Sequence, residues 1–140
     1  MLDVGKTHVR VCVVDPGGEL RDQRDRANRP LPGPPYPHAD TEGLFAWVCD
    51  ALRELAATHR IEALVPVTHG ATAALVGSEG LALPVLDYEH DALPLLERPP
   101  GAFEETGSPS LPAGLNLARQ LAWQQQAFPE AFARVEQVLL

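Results

Sequence analysis

An α/β fold is what this 140-residue chain predicts, and three observations predict it. Val9, Val11 and Val13 alternate with Arg10, Cys12 and Val14, the period of a strand whose second face is also partly buried. Leu44, Trp47, Val48, Ala51, Leu52 and Leu55 recur at intervals of three and four, the apolar stripe of a helix lying on a sheet. Residues 61–68 form a short apolar run ending at His69 and Gly70. That is the pattern of a buried strand delivering a polar residue at its end, where α/β sheets place functional groups.

Taken in order, Asp15, Pro16, Gly17 and Gly18 read as a turn. Proline is preset for the first central position and glycine is free to take a positive φ at the next. A hairpin follows, with its return strand over residues 19–27, dense in Arg and Asp as befits a sheet edge. Prolines at 30, 32, 34, 35 and 37 demand a stiff, extended crossover without regular hydrogen bonding. Asp40 or Thr41 caps the helix. Residues 73–76 and 81–86 flank the turn 77–80 as a second hairpin. The chain is then loop-rich through Pro112. Asn116 opens a helix through Gln126, with Leu117, Leu121 and Trp123 facing inward. Pro129 starts a last helix ending in Val138, Leu139 and Leu140. No internal repeat is visible. Asp3 has only two residues before it and the final apolar residues have no polar tail, so both ends are expected to be cut.

Eleven basic against nineteen acidic residues give a formal net charge of −8, the wrong sign for gripping a phosphate backbone. Nucleic acid is not an expected partner. No apolar run nears the ~18 residues of a membrane span, and Met1 leads to Asp3 and Lys6 rather than to a signal-like segment. A cytoplasmic chain without a membrane partner is the expectation. Cys12 and Cys49 lie in different elements without ligand spacing, so free thiols are expected rather than a disulfide or zinc site. Fourteen prolines and eleven glycines mark loops, because periodic apolar segments separate them.

The chemistry-bearing stretches are few. Gly5, Lys6 and Thr7 mimic the end of a phosphate loop, but its first glycine is missing and a strand follows where a helix is required. Read as Asp-x-Gly-x-Thr between two strands, Asp3 is placed to organise a metal, and the N–H groups of the turn with the Thr7 hydroxyl are placed to meet phosphates. A plain hairpin accounts for the same letters. Arg10 follows, either offsetting phosphate charge or lying exposed on its strand. His69 can donate to and accept from a sugar hydroxyl, and Gly70 lets a ligand approach the backbone; a core or turn histidine is the bland reading. Asp87, Tyr88, Glu89, His90 and Asp91 combine dense acceptors with one aromatic face. Sugar binding, a solvated acidic loop and a metal cluster remain open there.

Together, Asp3 to Arg10, His69 to Thr72 and Pro84 to Asp91 resemble the N-terminal part of the FGGY carbohydrate kinases. The strings LPGPPYPH (31–38), THGATAAL (68–75), LPVLDYEHD (83–91) and ETGSPSLPAGLNL (105–117) resemble the rhamnulokinase-like branch. This resemblance implies a ribonuclease H-like, actin-like ATPase fold, with residues 1–140 forming part of the N-terminal, sugar-binding domain of a two-domain kinase. It implies ATP, Mg²⁺ and phosphoryl transfer to a sugar hydroxyl, with a ketose such as rhamnulose as substrate. By position it assigns Asp3 to the metal, Gly5, Lys6, Thr7 and Arg10 to the phosphates, His69 to the sugar, and either Glu89 or His90 to an acidic sugar contact. Gly70, Asp87 and Tyr88 stand beside them as substrate-binding candidates by their own chemistry. Lys6 stands where the wider family commonly has Thr. The general base and the adenosine pocket are expected beyond Leu140, which leaves the isolated chain catalytically weak. A non-catalytic module that keeps the fold and weak sugar binding is the alternative.

Overall fold

The computed structural model describes residues 1–90, 103–109, 111 and 113–140. They form an α/β structure of two compact units, Met1–Arg29 with Asp40–His69, and Pro30–Ala39 with Gly70–Leu140. Asp91 and the proline cluster at 98–101 lie outside the described residues.

In the first unit, β1 (Leu2–Val4), β2 (His8–Val14), β3 (Leu20–Ala27) and β4 (Pro66–Thr68) make a sheet in the order β3-β2-β1-β4. β2 pairs antiparallel with both β1 and β3, while β1 and β4 run parallel. The β2–β3 turn follows from Asp15. Its carbonyl accepts from Gly18 N at 2.9 Å, and its Oδ1 accepts from Gly17 N at 2.8 Å and Glu19 N at 3.0 Å. The left-handed residue is Gly18 (φ 87°) rather than Gly17, so the loop is a type I turn closed by a left-handed glycine. The Glu19 N–H, and after it Arg21, holds the Asp15 carboxyl below its ordinary value. β3 is the sheet edge its charge pattern predicts.

Helix α1 (Thr41–Ala56) begins where the sequence says, with Asp40 Oδ1 accepting from Gly43 N at 3.0 Å. Arg26 braces the same end, donating to Gly43 O at 2.7 Å and to Asp40 at 3.3 Å. The predicted stripe buries Ala51 and Leu55 against Val11, with Leu2, Val13, Trp47, Val48 and Leu52 packed around them. Removing the cap by Asp40→Ala is expected to lower stability by about 1 kcal/mol, read as an earlier thermal melt with unchanged helix content at low temperature.

The expected buried strand over 61–68 is corrected. Only Pro66–Thr68 is strand, and it is exposed, with Val65 and Val67 58% and 46% accessible. β4 is the outer strand of its sheet, and α1 packs on β2 and β3 instead.

In the second unit, β5 (Ala74–Gly77) and β6 (Gly80–Leu83) form the expected hairpin. The predicted C-terminal helix is largely wrong. α4 ends after Pro129–Phe132, and β7 (Gln137–Leu139) pairs antiparallel with β5. Glu136 N donates to Val76 O at 2.9 Å, and a Cβ on Gly77 would come within 2.5 Å of Arg134 O, so glycine permits this approach. The proline-rich segment is not a simple crossover either. Leu31 and His38 exchange backbone hydrogen bonds of 2.8 and 3.0 Å, closing the segment on itself. Its end pairs onward, Ala39 N donating to Val85 O at 2.8 Å.

One-turn helix α2 (Phe103–Thr106) occupies part of the expected loop. Helix α3 (Leu117–Ala127) is capped by Asn116, as predicted. Its buried residues, however, are Arg119, Gln120 and Gln124, whereas Leu117, Leu121 and Trp123 are half-buried. Arg119 Nη1 donates to Leu111 O at 2.8 Å and Gln124 Nε2 to the Tyr36 hydroxyl at 2.9 Å, while the buried Arg119 Nε has no hydrogen-bond partner among the described residues. Tyr36 and Leu86 form the local core, with Trp123 and Phe128 packed edge-on to Tyr36. Both cysteines are free. Among the described residues no helix is long and apolar enough to cross a membrane.

Candidate functional site

β1 ends at Val4, and the chain turns back at once into β2. Gly5 N donates to His8 O at 2.9 Å, and a Cβ on Gly5 would sit 3.0 Å from that oxygen, so the tight turn is built for glycine. Asn28 fastens it from the end of β3, donating from its backbone to Thr7 O and from Nδ2 to Gly5 O, both at 2.8 Å. Nothing in the letters around Asn28 announces this brace, because its two partners lie more than twenty residues upstream. The backbone oxygens of Gly5 and Thr7 thus point to Asn28. Thr7 Oγ1 meets His8 Nδ1 at 3.2 Å, and Lys6 is half-buried in the turn.

Asp3 and Arg10 are cross-strand partners, with Nη1 and Oδ2 3.8 Å apart. That is an ion pair without a hydrogen bond. Both side chains remain substantially accessible, so the pair contributes little stability by itself. A single accessible carboxylate fits Mg²⁺, which keeps most of its waters and takes further oxygens from phosphates. A guanidinium beside it suits the opposite charge of those phosphates.

The β1–β4 pairing matters most. The two strands are parallel, in register Val4 with Thr68, and Thr68 Oγ1 donates to Val4 O at 3.3 Å. The turn at Gly5 and the His69 residue therefore leave the same end of one sheet from neighbouring strands. Ligand sites in α/β sheets lie at such carboxyl ends.

The remaining candidates fall on the second unit. A Cβ on Gly70 would meet nothing within 4 Å, and the left-handed residue of this stretch is Ala71 (φ 60°). Gly70 thus keeps open space beside its backbone. Asp87, Tyr88, Glu89 and His90 make one compact turn. His90 N donates to Asp87 O at 3.0 Å and Glu89 N to Asp87 Oδ1 at 3.1 Å. It is moored by Asp87 N to Pro37 O at 2.9 Å and by Gly114 N to Tyr88 O at 2.8 Å. The His90 ring stands 6.4 Å from Trp123, edge-on. Among the described residues no group of three or more His, Cys, Asp or Glu could hold a metal ion.

The structure therefore gathers Asp3, Gly5, Lys6, Thr7, Arg10 and His69 on the first unit, and Gly70, Asp87, Tyr88, Glu89 and His90 on the second. Asn28, Pro37, Gly114 and Gln120, which hold these segments, were not legible as site residues.

No protein-family model and no curated protein matches the chain. Solved structures do. A carbohydrate kinase from Novosphingobium aromaticivorans is similar over 95% of this chain, at 36% identity and a TM-score of 0.84, with 30% of its own length covered. A xyloylose kinase from Brucella ovis matches 99% of this chain and 31% of its own, at 21% identity and a TM-score of 0.80. A gluconate kinase from Lactobacillus acidophilus matches 99% and 30%, at 14% identity and a TM-score of 0.77. The chain spans about 30% of the length of the solved proteins it matches. Its structural neighbours are carbohydrate kinases, and its α/β fold is shared with part of theirs.

Proposed function

We propose that this chain carries the phosphate turn and part of the sugar site of an ATP- and Mg²⁺-dependent kinase that phosphorylates a sugar hydroxyl, with a ketose such as rhamnulose as substrate. In this reading it is part of the N-terminal, ribonuclease H-like domain of a cytoplasmic, two-domain FGGY kinase of the rhamnulokinase-like branch. The general base and the adenosine pocket come from the remaining length of such a kinase. The observation that carries the reading is the shared end of β1 and β4, with the Asp3–Arg10 turn on one strand and His69 on the next.

Asp3 would hold Mg²⁺, which when bound neutralises charge on the transferring phosphoryl group. The turn N–H groups beyond Gly5, whose own N–H closes the turn on His8 O, and the Thr7 hydroxyl orient phosphate oxygens, and Arg10 offsets their charge. The His69 imidazole fixes one sugar hydroxyl by donating to it or accepting from it. The Tyr88 ring and the acceptors of Asp87 and Glu89 suit a polyol with one apolar face. Positioning both reactants is most of what such an enzyme does.

Titration of the ¹⁵N-labelled chain with L-rhamnulose and D-xylulose tests the sugar half. Saturable amide shifts are expected at residues 69–72 and 87–90, with weak affinity, on the order of millimolar (about 4 kcal/mol). Shifts absent at sugar saturation, or confined to other segments, contradict the reading.

A further inference from the structure

Among the described residues of the second unit the deepest polar side chain is Gln120, 1% accessible. Its Nε2 has two hydrogens, and both are used across the fold: it donates to Ala71 O at 2.7 Å and to Gly114 O. Those two oxygens lie at or directly after the two alanines of positive φ. Ala71 (φ 60°) and Ala113 (φ 49°) are the non-glycine residues with positive φ among the described residues. One carbonyl is on Ala71 itself and the other is on the residue after Ala113. An alanine stays in the left-handed region only when its surroundings over-determine it, and such residues gather at ligand sites.

The clamp reaches further through Gly114. While its oxygen accepts from Gln120, its N–H donates to Tyr88 O at 2.8 Å. One carboxamide thus ties together the Gly70–Ala71 stretch and the turn of Asp87, Tyr88, Glu89 and His90. These are the sugar-side candidates of the second unit. Open space lies beside Gly70, where a Cβ would meet nothing within 4 Å. We infer that Gln120 is the positioning residue of the sugar site, holding the Ala71 and Gly114 turns, and with them the Tyr88 turn, in the geometry that receives a ketose. This rests on the sugar-kinase reading above. Gln120 touches no ligand; it acts through two backbone carbonyls, those of Ala71 and Gly114.

The test uses the 140-residue chain with L-rhamnulose and D-xylulose as probes. Gln120→Met keeps length and volume but removes both donors. It is expected to keep a cooperative melt, to lose the left-handed conformation of Ala71, read from its N–H/Hα coupling and ¹³C shifts, and to weaken sugar binding about tenfold or more. Adding Ala71→Gly lets the backbone take the positive φ without the clamp, so most of the lost affinity is expected to return. A merely structural Gln120 would give no such rescue. Should Gln120→Met fail to fold, Gln120→Asn, one methylene shorter, reads the same two quantities. An unchanged Ala71 conformation in a folded Gln120 variant, or no recovery in a folded double variant, overturns the inference. Absence of sugar binding by the unsubstituted chain overturns the sugar reading instead, and the Ala71 conformation still decides whether Gln120 holds the turn.

Discussion

Leu55→Ala is expected to cost the first unit about 2–5 kcal/mol, the largest effect of any single truncation there. Leu55 is fully buried at the centre of the cluster that joins α1 to β2, with Val11 and Ala51 as its buried neighbours. The loss combines the transfer free energy of the removed atoms with the cavity they leave, because the strand beneath cannot collapse into it without leaving its ladder. An isosteric Leu55→Met should cost under about 1.5 kcal/mol. Urea unfolding of the two variants checks this: equal midpoints would mean that α1 does not pack as described.

Tyr36→Phe is expected to cost the second unit about 1–3 kcal/mol, although it removes a single oxygen. The Tyr36 hydroxyl donates to Pro84 O at 2.8 Å and accepts from Gln124 Nε2 at 2.9 Å. Phenylalanine would keep the ring contacts with Trp123 and Phe128 but strand a carbonyl and a buried amide. The same hydroxyl makes an alkaline signature. Burial pushes its pKa up to about 12 from an ordinary 10.0, with the Gln124 hydrogen bond working against the rise. A raised pKa means that the neutral form is favoured when folded. Its contribution is complete below pH 10.0 and is lost as pH rises through about 12. Unfolding followed between pH 9 and 12 should show a steeper decline in the unsubstituted chain than in Tyr36→Phe. Parallel curves would contradict the burial assigned to this hydroxyl.

The legible parts of the fold are those whose signal is local. Asp15, Pro16 and two glycines specify a turn within four letters, and Asp40 with the three-and-four stripe specifies α1 and its buried face. The misread parts depend on distant partners. Val138 and Leu139 suit a helix end or a strand equally well by pattern, and pairing with Ala74 and Leu75 decides for strand. Residues 61–68 carry the composition of a buried strand, yet Val67 is exposed because β4 is the outer strand of its sheet. On α3 the pattern points the apolar residues inward, whereas Gln120 and Gln124 go inward because carbonyls and a phenol await them.

The candidate site divides in the same way. Asp3, Gly5, Thr7 and Arg10 could be named from one short stretch because the turn and its cross-strand partner are contiguous. Asn28 and Gln120 could not, since each acts on backbone oxygens, and a backbone oxygen has no letter. His69 could be named only as the end of an apolar run. Its relation to Gly5 needed the parallel register of Val4 with Thr68.

The role proposed for this segment is the phosphate-turn and sugar-side portion of a sugar kinase. A chimera tests it most directly: these residues replacing the 30% of the Novosphingobium aromaticivorans carbohydrate kinase that they match. Assayed with ATP, Mg²⁺ and a ketose panel, the folded chimera is expected to release ADP only when sugar is present. Asp3→Asn in the same protein is expected to lower that rate by about 10²–10³-fold. A folded chimera with no sugar-dependent ADP release, or one indifferent to Asp3→Asn, would contradict the account.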